Sequence, residues 1–382
     1  MLAELIIDLD AIRANIAALA GLVAPARVAG VIKANAYGHG LGAVGRAIEG
    51  AVDRICVYEI AEALALREAG VTARIHVLGP IAASDLPAAH AAGAEITLWD
   101  RGAYSVQAAN VARRCGSPFA VQVKVDTGVT RLGLTPAEAP AALRDYAARP
   151  EFALAGVFSH LAAAEELDST FTRDQLAAFE YATAALDPHV ERHIAASAAA
   201  MLWPQTRLGA IRAGIAIYGI WPSRPTEAIM RERGLTLAPA LTWRTQIVVV
   251  HEVPAETSVG YGCSYRTMRA SRIGVLPIGY AEGLPRGASN RGFVLVTGRR
   301  VPMVGRVCMN MTFVDLTDVP QAMPQTEVTL IGGDGAERID AEEAADWAGT
   351  IGYELVTRIP AHVPRHYRER SAAVGTGSDA FA

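Results

Sequence analysis

Short apolar, β-branched runs alternate with Ala-rich stretches over the first 220 residues. The runs lie in RVAGVIKA (27–34), RICVYEI (54–60), RIHVLGP (74–80) and EITLWD (95–100), then FAVQVKVDTG (119–128), FALAGVFSH (152–160), RHIAAS (192–197) and IRAGIAIYG (211–219). Between them, AEALALREAG (61–70) and FTRDQLAAFEYATAAL (171–186) read as helices. Strand, helix, strand in repetition implies a parallel sheet with right-handed crossovers. Eight such units in about 200 residues predict a (β/α)8 TIM-type barrel, an α/β architecture. A doubly wound sheet is the competing reading, but no G-x-G-x-x-G follows an early strand.

Beyond about residue 225 the pattern changes, and strands follow one another without long helices. They are LTWRTQIVVVHEV (241–253), RIGVLPIG (272–279), GFVLVTGRRVPMVGRV (292–307), TFVDLT (312–317) and EVTLIGG (327–333), with one helix at 340–351. The expected organisation is a barrel over 1–228 followed by a mainly antiparallel β domain over 229–382. The opening strand, about 3–10, precedes the barrel strands and could pair with the β domain instead. The tail GTGSDAFA (375–382) is expected to fray.

A chain of 382 residues suits two domains. With 51% hydrophobic and 19% charged residues it can bury a core. Lys+Arg 35 against Asp+Glu 39 gives a net charge of −4, which argues against nucleic-acid binding. Acidic residues interrupt the first twenty positions, so no signal peptide is expected, and no apolar run suits a membrane span. Cys56, Cys115, Cys263 and Cys308 are isolated, which fits a cytoplasmic protein better than a disulfide or zinc framework. His362 and His366 have helical metal-pair spacing, but Pro364 lies between them, so no metal site is expected.

Barrel active sites lie at the C-terminal ends of the strands. The polar residues there are Lys33, Tyr37, Lys124, Arg131, His160, Ser197 and Arg212. A strand-end lysine in an apolar pocket loses its proton readily, and a neutral amine can form a Schiff base with a carbonyl. A solvated loop lysine is the alternative.

The segment VIKANAYGHG (31–40) resembles the signature of the alanine racemases, pyridoxal 5'-phosphate enzymes of fold type III. The resemblance continues, in order, through KVDTGVTRLG (124–133), FSHLAAAE (158–165), RAGIAIYG (212–219), VGYGCSYR (259–266), PIGYAEGLPR (277–286), GRVCMN (305–310) and GYELVTRI (352–359). It implies that Lys33 carries the cofactor and acts as the base toward D-alanine, with Tyr261 as the base toward L-alanine. It also implies that His160 supports Tyr261 and contacts Arg212, and that Arg212 faces the pyridine nitrogen. Ser197, the amides of Gly214 and Ile215, and the hydroxyls of Tyr37 and Tyr353 would hold the phosphate. Arg131 and the Met309 amide would bind the substrate carboxylate, a carbamylated Lys124 would hold Arg131, and Tyr280 and Arg286 would narrow the entry. The family pairs two subunits across shared sites, so a homodimer acting on a small amino acid is expected. Two positions depart from the family: Ala196 stands where Asn is usual, and Asn310 where Asp is common.

Other functions remain open on the residues. A fold-III decarboxylase would need a carboxylate where Arg212 stands. A non-catalytic cofactor-binding protein would resemble the barrel alone. A racemase of another amino acid, such as serine, stays open, because the sequence does not fix how strictly the entry channel selects.

Overall fold

The computed structural model describes residues 2–369; the tail 375–382 lies outside them. The chain starts with β1 (Glu4–Asp8) and a helix, Leu9–Val23. Asp8 caps that helix by accepting the Ala11 N–H at 2.8 Å. The helix turns Ile12, Ile16 and Leu19 inward at the i, i+4, i+7 spacing of a buried stripe.

The barrel strands are β2 (Arg27–Val31), β3 (Arg54–Val57), β4 (Ile75–Val77), β5 (Ala94–Leu98), β6 (Phe119–Lys124), β7 (Phe152–Phe158), β8 (Glu191–His193) and β9 (Ala210–Ala213). All pair in parallel, in the order β8-β7-β6-β5-β4-β3-β2-β9. The ring closes between its two end strands. Arg212 N–H donates to Ala195 O at 2.9 Å and Gly209 N–H to Arg192 O at 3.0 Å, with a parallel bridge between Ala196 and Arg212. The strands are buried on both faces, as expected where helices cover a parallel sheet.

The second domain holds β10 (Leu241–Gln246), β11 (Val249–Val253), β12 (Ser258–Val259), β13 (Tyr265–Arg266), β14 (Ser271–Leu276), β15 (Phe293–Val296), β16 (Arg299–Pro302), β17 (Thr312–Asp315), β18 (Glu327–Asp334), β19 (Glu337–Ile339) and β20 (Arg365–Arg368). β1 inserts into its main sheet, antiparallel to β10 and parallel to β20. A three-stranded sheet β11-β14-β17 and the β12-β13 hairpin complete it.

Three sequence segments divide where a single element was expected. The run 241–253 changes sheets: Ile247 N–H donates to Thr326 O at 3.0 Å and Val248 N–H to Val275 O at 2.9 Å. The run 292–307 folds back at Thr297 (φ 50°) and Gly298 (φ 75°), left-handed positions that suit a two-residue hairpin turn. The helix expected at 340–351 spans Ala341–Ala348 and stops at Gly349, φ 70°; a second helix, Gly352–Thr357, carries Tyr353.

The two domains pack closely at Gly38, where φ is 81° and an added Cβ would lie 2.1 Å from Val356 O. Only glycine fits both the backbone angle and the space. His366 belongs to β20 and pairs with Glu4 at 3.2 Å. Among the described residues no helix is long and apolar enough to cross a membrane.

Candidate active site

A cavity of about 590 Å³ opens among the loops that follow the barrel strands. Lys33, Tyr37, Lys124, Arg131, His160 and Arg212 line it, with Ser197, Gly214, Ile215 and Tyr353. Each strand-end residue singled out from the sequence therefore faces one space.

Lys33 enters through an unusual backbone. After β2 the chain makes a left-handed turn, with φ of 54°, 55°, 55° and 51° at Ala34, Asn35, Ala36 and Tyr37. Such angles cost roughly 1–2 kcal/mol per non-glycine residue. Local bonds offset part of this: Ala36 N–H to Ile32 O at 2.8 Å, Gly38 N–H to Ala34 O at 3.1 Å, and Leu41 N–H to Asn35 Oδ1 at 2.8 Å. The turn brings Lys33 and Tyr37 into the same cavity. Burial pushes the Lys33 amine below its ordinary range, and the charge of Arg131 adds to this.

Lys124 ends β6 with its Nζ 5.2 Å from the centre of the Phe158 ring. Burial, then Arg131 and Arg212, push it down to about 7. Arg131 lies on a loop gathered around Asp126, whose carboxylate accepts the N–H groups of Gly128, Val129, Thr130 and Arg131 at 2.7–3.1 Å.

Arg212 lies at the floor, 4% exposed. Nη1 donates to His193 Nδ1 at 2.7 Å and to His193 O at 3.1 Å. Nη2 donates to Ser159 O at 2.6 Å and Ile194 O at 3.3 Å, and meets His160 Nδ1 at 3.3 Å. Among the described residues Nη1 and Nη2 carry every hydrogen bond of this side chain, all of them to imidazoles and carbonyls. Burial lowers the guanidinium to about 10, so it stays charged at neutral pH. Burial first, then Arg212, pushes His160 down to about 3. A neutral His160 with its Nδ1 lone pair toward Arg212 carries its proton on Nε2.

At the other end, Ser197 begins one short helix and Ile215 a 3-10 turn, so their first amides have no helical acceptors. Gly214 N–H donates to Ser197 Oγ at 3.1 Å. A Cβ at Gly214 would lie 2.6 Å from the Tyr37 hydroxyl, so glycine keeps this corner open. The Tyr37 and Tyr353 rings lie 6.3 Å apart. Burial pushes both phenols up, Tyr37 to about 12, so they face the cavity as protonated donors. Ala196, also on the wall, offers no side-chain donor.

The remaining predicted residues lie elsewhere. Tyr261 sits at the tip between β12 and β13, 72% exposed; Met309 is 57% and Tyr280 45% exposed, and Arg286 is exposed too. Their loops are tied together. Tyr280 N–H donates to Cys308 O at 3.1 Å, Ala281 N–H to Met309 O at 2.8 Å, and Asn310 Nδ2 to Glu282 Oε1 at 2.7 Å. Asn290 links the Tyr261 loop to Gly305, donating to Ser264 O at 3.4 Å and accepting Gly305 N–H at 2.6 Å. One chain thus presents two separate clusters: a cationic barrel cavity, and an exposed β-domain surface bearing Tyr261 and Met309.

The sequence reading missed two features here. The left-handed turn has only a faint signal, small residues around an Asn that tolerates φ > 0. The second is His193, stacked on Phe158 at 5.2 Å with 6° between the planes. It reads from sequence as an ordinary strand residue.

The fold and cavity define a two-domain barrel protein with a half-buried Lys33, a buried Lys124 and a buried arginine without a carboxylate partner around one cavity. Comparisons with known proteins agree. Residues 7–222 match the family described as "Alanine racemase, N-terminal domain" and residues 240–367 "Alanine racemase, C-terminal domain". The chain belongs to the alanine racemase family. It is 40% identical over 372 residues to an alanine racemase of Symbiobacterium thermophilum, covering 96% of this chain and 97% of that one. It is 37% identical over 372 residues to one of Methanococcus maripaludis, covering 94% and 97%. Its structure resembles the alanine racemase of D-cycloserine-producing Streptomyces lavendulae, with TM-score 0.89, 34% identity and 97% of both chains covered. It also resembles that of Bacillus anthracis with bound L-Ala-P, with TM-score 0.86, 32% identity, and 97% and 95% covered.

Proposed function

We propose that this chain is a cytoplasmic pyridoxal 5'-phosphate-dependent alanine racemase, interconverting L- and D-alanine and supplying D-alanine for peptidoglycan. The observation that carries the reading is the pairing of a desolvated Lys33 amine with a buried Arg212 that has no carboxylate partner, in one cavity. The donor set fits the cofactor. Ser197, the Gly214 and Ile215 amides, and the Tyr37 and Tyr353 hydroxyls would take the phosphate, and Arg212 Nε–H would meet the ring nitrogen. When bound, the cofactor supplies an electron-withdrawing ring that acidifies the substrate Cα–H.

The protein's part is to place bases, charges and walls. Lys33, its amine held below the ordinary lysine range, takes or returns the Cα proton on one face. Tyr261 of a second subunit does so on the other, because inversion needs proton transfer on opposite faces. His160, neutral with Nε2–H outward, is placed to support that tyrosine. Arg131 and the Met309 amide bind the substrate carboxylate. A neutral Lys124 amine can add to carbon dioxide and release a proton to solvent; the resulting carbamate would be an anion beside Arg131 rather than a repelling cation. Tyr280 and Arg286 narrow the approach.

In this reading the barrel domain (1–228) provides the cofactor cavity and the β domain (229–382) serves the other subunit of a homodimer. Chiral product analysis with purified protein and a panel of L-amino acids tests it. Alanine should racemise fastest and reach equal amounts of both enantiomers. Comparable rates with serine would make the enzyme a broad racemase, and release of carbon dioxide would make it a decarboxylase.

A further inference from the structure

Behind Arg212 a line of buried polar groups runs through the barrel core. Gln122, His193 and Glu95 are 0%, 1% and 4% exposed. His193 Nδ1 accepts from Arg212 Nη1 at 2.7 Å, so the proton of a neutral imidazole sits on Nε2. That nitrogen lies 3.2 Å from Gln122 Oε1. Gln122 Nε2 donates to Glu95 Oε2 at 2.7 Å. Glu95 is in turn paired with Arg74 at 2.6 Å and with Arg54 at 3.7 Å.

Each orientation here follows from the next. A glutamine amide has one accepting and one donating end. The Glu95 carboxylate offers only lone pairs, so Gln122 must turn its NH2 toward it and its oxygen toward His193. An oxygen at that place requires His193 to carry its proton on Nε2, which leaves Nδ1 free to accept from Arg212. The reverse tautomer would point an N–H at the guanidinium.

The backbone makes room for this arrangement. The β6–β7 register shifts between Val121 and Gln122. Opposite, a Cβ at Gly156 would lie 2.4 Å from Gln122 Oε1. Any larger residue there would displace the amide oxygen.

We propose that Gln122 and Glu95 are positioning residues for Arg212, fixing the histidine tautomer that gives the guanidinium its acceptor. The proposal rests on the reading of the cavity as a cofactor site. It extends control of the Arg212 orientation to a carboxylate that touches neither Arg212 nor the cavity.

The test is a double-variant cycle on the holoenzyme. Glu95→Gln allows the Gln122 amide to turn over, and Gln122→Glu sets two carboxylates against each other. The double variant restores an amide facing a carboxylate in reversed order, with residue 122 still accepting from His193. Three quantities are read: the dissociation constant for pyridoxal phosphate, the absorbance maximum of the bound cofactor, and the melting midpoint.

Each single variant should bind the cofactor about tenfold more weakly and shift its absorbance. The double should recover to within about threefold of wild type, because the two positions are coupled. Should Gln122→Glu not fold, Gln122→Met removes the amide at similar volume and should lose affinity likewise. Single variants that lower the melting midpoint but leave affinity and absorbance unchanged would make these residues merely structural and overturn the proposal. So would a double variant no better than the singles. A wild-type protein that takes up no pyridoxal phosphate would instead refute the proposed function, and this proposal with it.

Discussion

Arg212 Nη2 and His160 Nδ1 lie 3.3 Å apart, and burial and the charge of Arg212 keep the histidine of this pair neutral at neutral pH. The buried cation is thus held by imidazoles and carbonyls rather than by an acid. A guanidinium cannot accept the proton that a pyridine nitrogen would otherwise keep. In the proposed function, this would limit how much negative charge the ring takes and would favour return of the proton to Cα.

Replacing Arg212 with Glu reverses this. A carboxylate would keep the ring nitrogen protonated and would also favour protonation of His160. Racemisation should fall by at least about tenfold, and pyruvate formed per turnover should rise. Coupled pyruvate assay beside chiral analysis of alanine measures both. A fall in racemisation with no rise in pyruvate would place Arg212 away from the ring nitrogen.

Lys124 links stability to pH. Its folded value is about 7, below its ordinary 10.5. Between those values the unfolded chain binds a proton that the folded chain lacks, so this group makes stability rise with pH across that window. Lys124→Met should flatten the rise in melting midpoint between pH 7 and about 10, measured in bicarbonate-free buffer. A curve displaced without change of slope would contradict the assignment.

Asn310 donates to Glu282 at 2.7 Å, and the other Glu282 oxygen accepts Gly279 N–H at 2.8 Å. The first contact ties the Met309 loop to the turn that carries Tyr280, and the second holds Glu282 within that turn. Asn310→Asp would set two carboxylates face to face, so KM for alanine should rise several-fold at alkaline pH and approach the wild-type value as pH falls toward about 5. Adding Glu282→Gln should restore it at every pH, since an amide again faces a carboxylate. Steady-state kinetics across pH separates this from a pH-independent loss of packing.

The barrel was legible because its strands are buried on both faces and leave near-continuous apolar runs, as in RICV of β3. The β domain was legible in outline only. The sheet change at Ile247 falls where the alternating LTWRTQ of β10 meets the apolar run IVVV, and no turn residue marks it, because the break is set by different partners. Lys33 and Arg212 could be picked out because charge at the end of an apolar strand is costly without a purpose. The left-handed turn behind Lys33 depends on how Asn35 folds onto Leu41, and the tautomer of His193 on Gln122, far away in the chain. A linear sequence does not display them.

The two proposed bases are on different domains, and in one chain Tyr261 stands outside the cavity that Lys33 lines. Mixing two inactive proteins tests the central claim most directly. Lys33→Ala chains and Tyr261→Phe chains, each as a purified homodimer, would be allowed to exchange subunits, with exchange confirmed by native mass spectrometry. A heterodimer has one site with both defects and one with none, so racemase activity should reappear, toward about a quarter of the wild-type value for random pairing. Confirmed heterodimers that stay inactive would contradict a site shared between subunits.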